Sequence, residues 1–446
     1  MNASVGSIKR TLYNFFSVSL LQIGNYVLPI ITLPIISRII GPERYGVINY
    51  AFAFAGYFIL LINAGFDYYG TRMIIANRED NHALNKLLSE IIFSKTFLLV
   101  VSAVLFFLSV WFIPQLKNEK LVAFYTFLIC IGWVVNPSWL YHGMQDSRKY
   151  ALFSFLSKLI FSVLIVMVIK RPGDYFYHPL FYSLSHVVIS LISFYYALKK
   201  YGLGLESVSM KRIGETLKEN KHLSIIWWIT NQSLSTNIII AGLLLSTVQI
   251  GYYSSALRVI VIIQSVISMP LNTVLFPYIG EAFLQGNEEG MERINRSFPY
   301  IFMIAFSMFI ITFLFSDKII LILYGQQFKE AIGLLRISST ILFFATLNSA
   351  FGQQVMLNLK KDESYVKIIV AGFVFNIILL LVIIFPWGID GAAWAWPVSE
   401  TGIFIFYVFY FRKRSLAVFS PKYYSPKYLY ENTMSLFKLK FIRTKG

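Results

Sequence analysis

Runs of about 20 mostly apolar residues recur along almost the whole chain, and they decide what it can fold into. Leu121–Tyr141 and Phe298–Phe315, for example, contain no Asp, Glu, Lys or Arg. A helix rising about 1.5 Å per residue needs that length to cross a hydrocarbon core about 30 Å thick. Barrel strands would instead show alternating segments of about 10 residues, which do not recur here. In lipid each backbone polar group must be satisfied internally, so helices are the solution these runs allow. Composition agrees: charged residues are 14% of the chain and mean hydropathy is +0.64, whereas a soluble domain carries about 25% charge. The expected fold is an all-α integral membrane protein.

The runs predict about twelve transmembrane helices. Six precede residue 199: Leu12–Ser37, Val47–Tyr69, Leu87–Ile113, Leu121–Tyr141, Ala151–Ile169 and Leu180–Leu198. Six follow: Ile225–Leu245, Tyr252–Ile279, Phe298–Phe315, Ile337–Leu357, Val366–Phe385 and Ala392–Phe411. The expected organisation is a six-helix bundle over 1–198, a central cytoplasmic connection over 199–222, a second six-helix bundle over 223–411, and a basic, aromatic cytoplasmic tail over 412–446. Of the 39 Lys and Arg residues, three (Lys95, Lys158 and Arg258) fall inside spans. The rest fall about three to one on the side of the N-terminus, the central connection and the tail, which places both termini in the cytoplasm. The segments Arg44–Ala51 and Gln249–Ala256 share a Gly followed five residues later by an Ala, and each enters a helix after an outer turn. That match suggests a parallel pseudo-repeat of the two bundles, an arrangement suited to alternating access.

No Ser-His-Asp grouping, metal-ligand cluster or phosphate-binding glycine loop stands in a plausible frame, so no enzyme is expected. The lone Cys130 lies in an apolar run and reads as a small filler. No cleavable signal peptide is expected, because the first apolar stretch is long and carries Pro29 and Pro34. The tail interleaves Lys and Arg with Tyr and Phe and reads as an interfacial segment on anionic lipid. Its place beside the bilayer argues against nucleic acid.

Charged groups within spans are costly, so they mark cavities, partners or snorkelling stems. Arg258, Lys95 and Lys158 are candidate substrate-binding cations, with snorkelling to headgroups the alternative. Asp67 and Glu400 are candidate ion-coupling carboxylates. For Asp67 a local ion pair with Arg72 competes, while Glu400 has no obvious local partner. Glu90 is a third acidic candidate. Among the uncharged polar residues, Asn25, Asn237 and Gln264 are candidates to line a hydrated, sugar-binding cavity, against a bland role as helix–helix glue. The Ser316–Arg336 connection is expected to hold a re-entrant or interfacial helix. Prolines 29, 34, 137, 270, 277 and 397 are expected to kink their helices.

Several segments resemble the polysaccharide transporter family, the O-antigen flippases of the multidrug/oligosaccharidyl-lipid/polysaccharide exporter superfamily. They are Pro34–Gly46, Asn63–Arg72, Gly251–Arg258 and Leu323–Phe328. The resemblance spans essentially the whole chain. It implies flipping of undecaprenyl-pyrophosphate-linked oligosaccharide in the bacterial cytoplasmic (inner) membrane. Its implied partners are that lipid-linked oligosaccharide, membrane lipids, and a polysaccharide polymerase and chain-length regulator. No cofactor is implied, and coupling to a H+ or Na+ gradient is left open. Asn237 departs from the family's pattern, where an Asp often stands nearby, and an Asn cannot cycle a proton. The alternatives are a drug or cation antiporter of the same superfamily, the peptidoglycan-precursor flippase, and a membrane O-antigen polymerase or ligase. The last would need a large outer catalytic loop.

Overall fold

The computed structural model describes residues 2–414 except 232, together with 416, 418, 421–425 and 428. Within these, the side chains of 2–20, 22, 23, 26, 226, 229–231, 233 and 421 lie outside the description. Most of the expected interfacial tail therefore lies outside the described residues, as do the side chains of Gln22, Asn231 and Gln232.

The described residues form helices joined by short turns, with no strand among them. Nine of these helices are long and apolar enough to cross a membrane. Two of the nine are much longer than one crossing. One is the candidate crossing Val27–Ala76, which takes in the greater part of the Asn2–Asn63 helix, and the other is Asp362–Lys413, which carries the last two expected spans; each leaves helical geometry at one glycine. Those glycines are Gly41 (φ 72°) and Gly388 (φ 55°), in the left-handed region that glycine enters without a Cβ penalty. Pro29, Pro34 and Pro397, expected to kink their helices, keep helical backbone angles. These prolines sit inside continuous helix, while Pro137 does mark a break and Pro270 precedes a π-helical stretch. Many apolar side chains face outward, including Val100, Val104, Leu108, Ile378, Val382 and Phe385. An apolar exterior on helices of this length is what a lipid solvent selects.

By contact the chain divides into two compact units. The first comprises Met1–Ser255, Asp317–Ile332 and Trp387–Ile389; the second comprises Ala256–Ser316, Gly333–Pro386 and Asp390–Gly446.

In the first unit, Phe66, Leu88, Ile91, Trp139 and Tyr141 centre a buried cluster. Three of the segments singled out above meet in this unit. Gly46 packs so closely on the Thr247–Gly251 backbone that a Cβ would lie 1.9 Å from the Thr247 carbonyl oxygen, and one on Gly251 would lie 2.0 Å from the Pro42 carbonyl oxygen. Tyr45 packs edge-on against Tyr324 and Phe328, and the Tyr324 hydroxyl donates to the Ser255 carbonyl at 3.1 Å. The Ser316–Arg336 connection holds a helix at Ser316–Leu323. Arg38 donates to the carbonyls of Leu321 and Ile322 (3.2 and 2.9 Å) and Ser37 to that of Leu323 (3.2 Å). A cation on the last carbonyls of a helix satisfies orphan acceptors and complements its dipole.

The central connection is more ordered than a loop. A helix begins at Met210 and runs to Asn231, well ahead of the expected span start at Ile225. It docks on the end of the second expected span, where Ala64 and Gly65 both take positive φ. Asn220 and Ser224 donate to the Ala64 carbonyl, and the Gly65 backbone lies against that of Leu223.

The second unit is centred on aromatic packing of Phe298, Phe351, Tyr407 and Phe411. It contains two π-helical stretches, Leu271–Leu275 and Ala350–Leu357, joined where the Gln354 amide donates to the Leu271 carbonyl at 3.0 Å. π-Turns of this kind recur at functional sites.

Candidate functional site

The first unit holds a cavity of about 70 Å³ that is partly open to the outside. Its walls come from the Asn136–Pro137 break, the Ser147–Val168 helix and the Tyr177–Tyr201 helix. Ser154 with Ser157, and Ser190 with Ser193, line it as two pairs. Each pair is spaced three residues apart, which puts both hydroxyls on one helix face. Asn136, Tyr150, Tyr182, Lys158 and His186 complete the polar lining, and no carboxylate is among the lining residues. Lys158 is half-buried and its ammonium donates to the Asn25 carbonyl at 3.1 Å, while Ser154 donates to the Asn25 side-chain oxygen at 3.3 Å. The structure thus brings Lys158 and Asn25 together. His186 Nε2 is buried with no hydrogen-bond partner among the described residues, its ring against Trp133. The lining can donate to anions and bond sugar hydroxyls.

Lys95 and Asp67 sit elsewhere in the same unit. Snorkelling is excluded for Lys95, which is 0% exposed on the Asn81–Phe112 helix. Its ammonium has no hydrogen-bond acceptor among the described residues, and Asp67 is the charge that acts on it. The expected Asp67–Arg72 pair does not form. Five residues along a helix turn about 140° from one another, and Arg72 is exposed. Instead the Asp67 oxygens accept from Asn63 (2.7 Å) and the Ser138 hydroxyl (2.6 Å).

Glu90, only 3% exposed, is held by Arg212 of the Met210–Asn231 helix. Nε and Nη2 of Arg212 bind the two carboxylate oxygens at 2.8 and 3.0 Å, a bidentate pair, and Thr216 adds a third donor. Arg212 also reaches Glu215 and Glu219. The hydrogen bonds it donates to Glu90, reinforced by one to Glu219, hold the Arg212 guanidinium above its ordinary pKa.

In the second unit, Glu400 does have partners, contrary to the sequence expectation. Trp396, one turn earlier, donates its indole N–H to Oε1 at 3.0 Å. Asn348 donates to Oε2 at 2.7 Å and also to the Glu400 carbonyl. Both donors are neutral. Gln264 is half-buried and exchanges hydrogen bonds with Thr346 at 3.3–3.4 Å. Arg258 is exposed midway along Thr247–Pro270, with no hydrogen-bond or ion-pair partner among the described residues. Asn237, in the first unit, is fully buried with neither amide atom bonded among the described residues. An amide so placed costs free energy unless something else binds it.

Asn136 was among the polar span residues expected to line a cavity, whereas the serine pairs, His186 and Arg212 were not singled out from sequence. The three-residue spacing of the serines was a usable signal. Nothing in the sequence pointed Arg212 at Glu90, 122 residues away.

The described helices share their fold with solved multi-pass membrane proteins. The chain superposes on the lipid II flippase MurJ in its inward closed conformation with a TM-score of 0.72, at 14% identity over 95% of this chain and 92% of that one. It also superposes on an inward-facing multidrug resistance MATE family transporter with a TM-score of 0.69, at 14% identity over 88% of this chain and 94% of that one. Residues 11–283 match the family described as "Polysaccharide biosynthesis protein", and the chain belongs to that family. A candidate O-antigen transporter of Escherichia coli (strain K12) is 22% identical over 380 residues, 85% of this chain and 91% of its own length. The relatives and structural neighbours are transporters and flippases, not enzymes.

Proposed function

We propose that this protein is a flippase for undecaprenyl-pyrophosphate-linked oligosaccharide, an O-antigen or similar surface-polysaccharide repeat unit. It moves the glycolipid from the cytoplasmic to the periplasmic leaflet of a bacterial inner membrane by alternating access of two six-helix bundles. The twelve crossings are the nine long helices, with Val27–Ala76 and Asp362–Lys413 each counted twice, and a seventh crossing that includes Leu234–Leu244. Both termini are cytoplasmic.

The observation that carries this reading is the cavity in the first unit, which presents a lysine, a histidine, one amide and several Ser and Tyr hydroxyls but no carboxylate. A pyrophosphate entering low dielectric must be met by cations, and sugars by exchangeable hydrogen bonds. In the first unit Lys158 supplies the charge and Asn25, bonded to it, an amide; Asn237 in that unit, and Arg258 and Gln264 in the second, are proposed singly as further substrate contacts. A drug or cation antiporter would need acidic groups where its cargo sits, and the cavity has none. Glu400, on neutral donors alone, is suited to a coupling ion rather than to the glycolipid.

In a strain lacking its own copy of this gene, the wild-type chain should restore surface glycan. Lys158→Ala and Arg258→Ala should each reduce flipping roughly ten- to a hundredfold at equal membrane abundance, because a hydrogen bond to a charged group contributes about 1.5–3 kcal/mol. Wild-type flipping by both variants would contradict the proposed substrate path.

A further inference from the structure

We propose that Lys95 is the proton-binding element of a switch, with Asp67 as its counter-charge, that controls access to the serine-lined cavity of the first unit. Its use in transport rests on the flippase reading; its test does not.

A purely structural ion pair would seat the ammonium on the carboxylate. Here no direct ion pair or hydrogen bond joins the two. The Lys95 ammonium is fully buried without an acceptor among the described residues, and each Asp67 oxygen is already bonded to a neutral donor. Three N–H donors left unbonded in an interior are costly, so the ammonium is the part of the arrangement that its surroundings least satisfy.

The carboxylate is wired to the cavity. Ser138, which donates to Asp67, begins the short Ser138–Gly143 helix, and its backbone N–H donates to Asn136 Oδ1 at 3.0 Å. Asn136 and Pro137 form the break between that helix and Ile129–Val135, and both line the cavity. Tyr150, another lining residue, also feels the Asp67 charge. Asp67 therefore grips one end of a hinge whose other face is cavity wall.

In the switch a proton leaves Lys95 Nζ for water, giving an amine, while Asp67 keeps its two donors. A carboxylate that has lost its counter-charge depends wholly on those donors, so its hold on Ser138 tightens and the hinge closes against the cavity. Proton uptake reverses this. The other titratable groups acting on Asp67 are His142, hydrogen-bonded to Ser147, and Tyr150. Glu90, on the same helix as Lys95, is committed to Arg212.

The test uses the full-length protein in lipid nanodiscs, with Cys130→Ser as background and Ser190→Cys as a cavity probe for maleimide labelling. Exposed Ser209→Cys corrects for thiol ionisation. With Lys95 and Asp67 intact, corrected labelling should rise as pH falls across the range in which the protein stays folded, by at most about tenfold per unit for a single proton. Lys95→Arg keeps the charge but cannot release its proton, and should be pH-independent. The double variant Lys95→Met/Asp67→Asn, which leaves no buried charge unpaired, should also be flat. His142→Gln should keep the wild-type slope. Labelling that is flat in the intact protein, a slope that survives in Lys95→Arg or the double variant, or a slope lost in His142→Gln would each overturn the proposal.

Discussion

Gly46→Ala is expected to strip the membrane of folded protein, although alanine is the better helix former. Both residue 46 and its neighbours are helical, so propensity alone would favour alanine by about 1 kcal/mol. Against that stands a Cβ placed 1.9 Å from the Thr247 carbonyl oxygen and 2.7 Å from the Gly251 nitrogen. Both are backbone atoms, which cannot rotate away as a side-chain tip could. Overpacking costs typically about 1–3 kcal/mol where the surroundings can shift, and more where they cannot. Gly251→Ala meets the Pro42 backbone in the same way. The two variants should behave alike, with little monodisperse protein on size-exclusion chromatography in detergent. Gly214→Ala, with open space around it on the Met210–Asn231 helix, should be neutral or slightly stabilising. Equal yield and thermal midpoint for Gly46→Ala and Gly214→Ala would refute the close approach.

The second large effect is expected at Arg212. Truncating it to alanine leaves the Glu90 carboxylate, whose side chain is 4% exposed, without its bidentate partner. Breaking a buried pair costs about 3–5 kcal/mol, because the remaining charge is stranded rather than merely unhelped. Arg212 itself is 32% exposed, so water can enter as it leaves, and about 3 kcal/mol is the better expectation. The loss should appear as a lower thermal midpoint and as faster hydrogen exchange across 210–224. Glu90→Gln/Arg212→Met removes both charges and should recover most of the stability. If the double variant is as unstable as Arg212→Ala, the pair is not what holds the helix down.

The apolar runs made the all-helical membrane class legible, because crossing length is a property of single segments. The helix bends were less so. Proline removes a donor wherever it sits, yet Pro29 and Pro34 are accommodated, and the backbone departs instead at Gly41 and Gly388, where only a residue without Cβ is at ease. The segments Pro34–Gly46, Gly251–Arg258 and Leu323–Phe328 were recognisable as strings, but their meeting in one unit was not. Candidate charges could be found from their cost in lipid, whereas their partners could not. Asn348 lies 52 residues from Glu400, and Ser138 lies 71 from Asp67. Local spacing misled where it was used alone, as with Asp67 and Arg72, and was underused for the serine pairs that line the cavity.

The most direct measurement is the leaflet position of lipid-linked repeat units in the bacterium that carries this gene, before and after its deletion. The account predicts loss of surface glycan with intact units accumulating on the cytoplasmic face, and restoration by the wild-type gene. Single units reaching the outer face unpolymerised would contradict it and point to a polymerase.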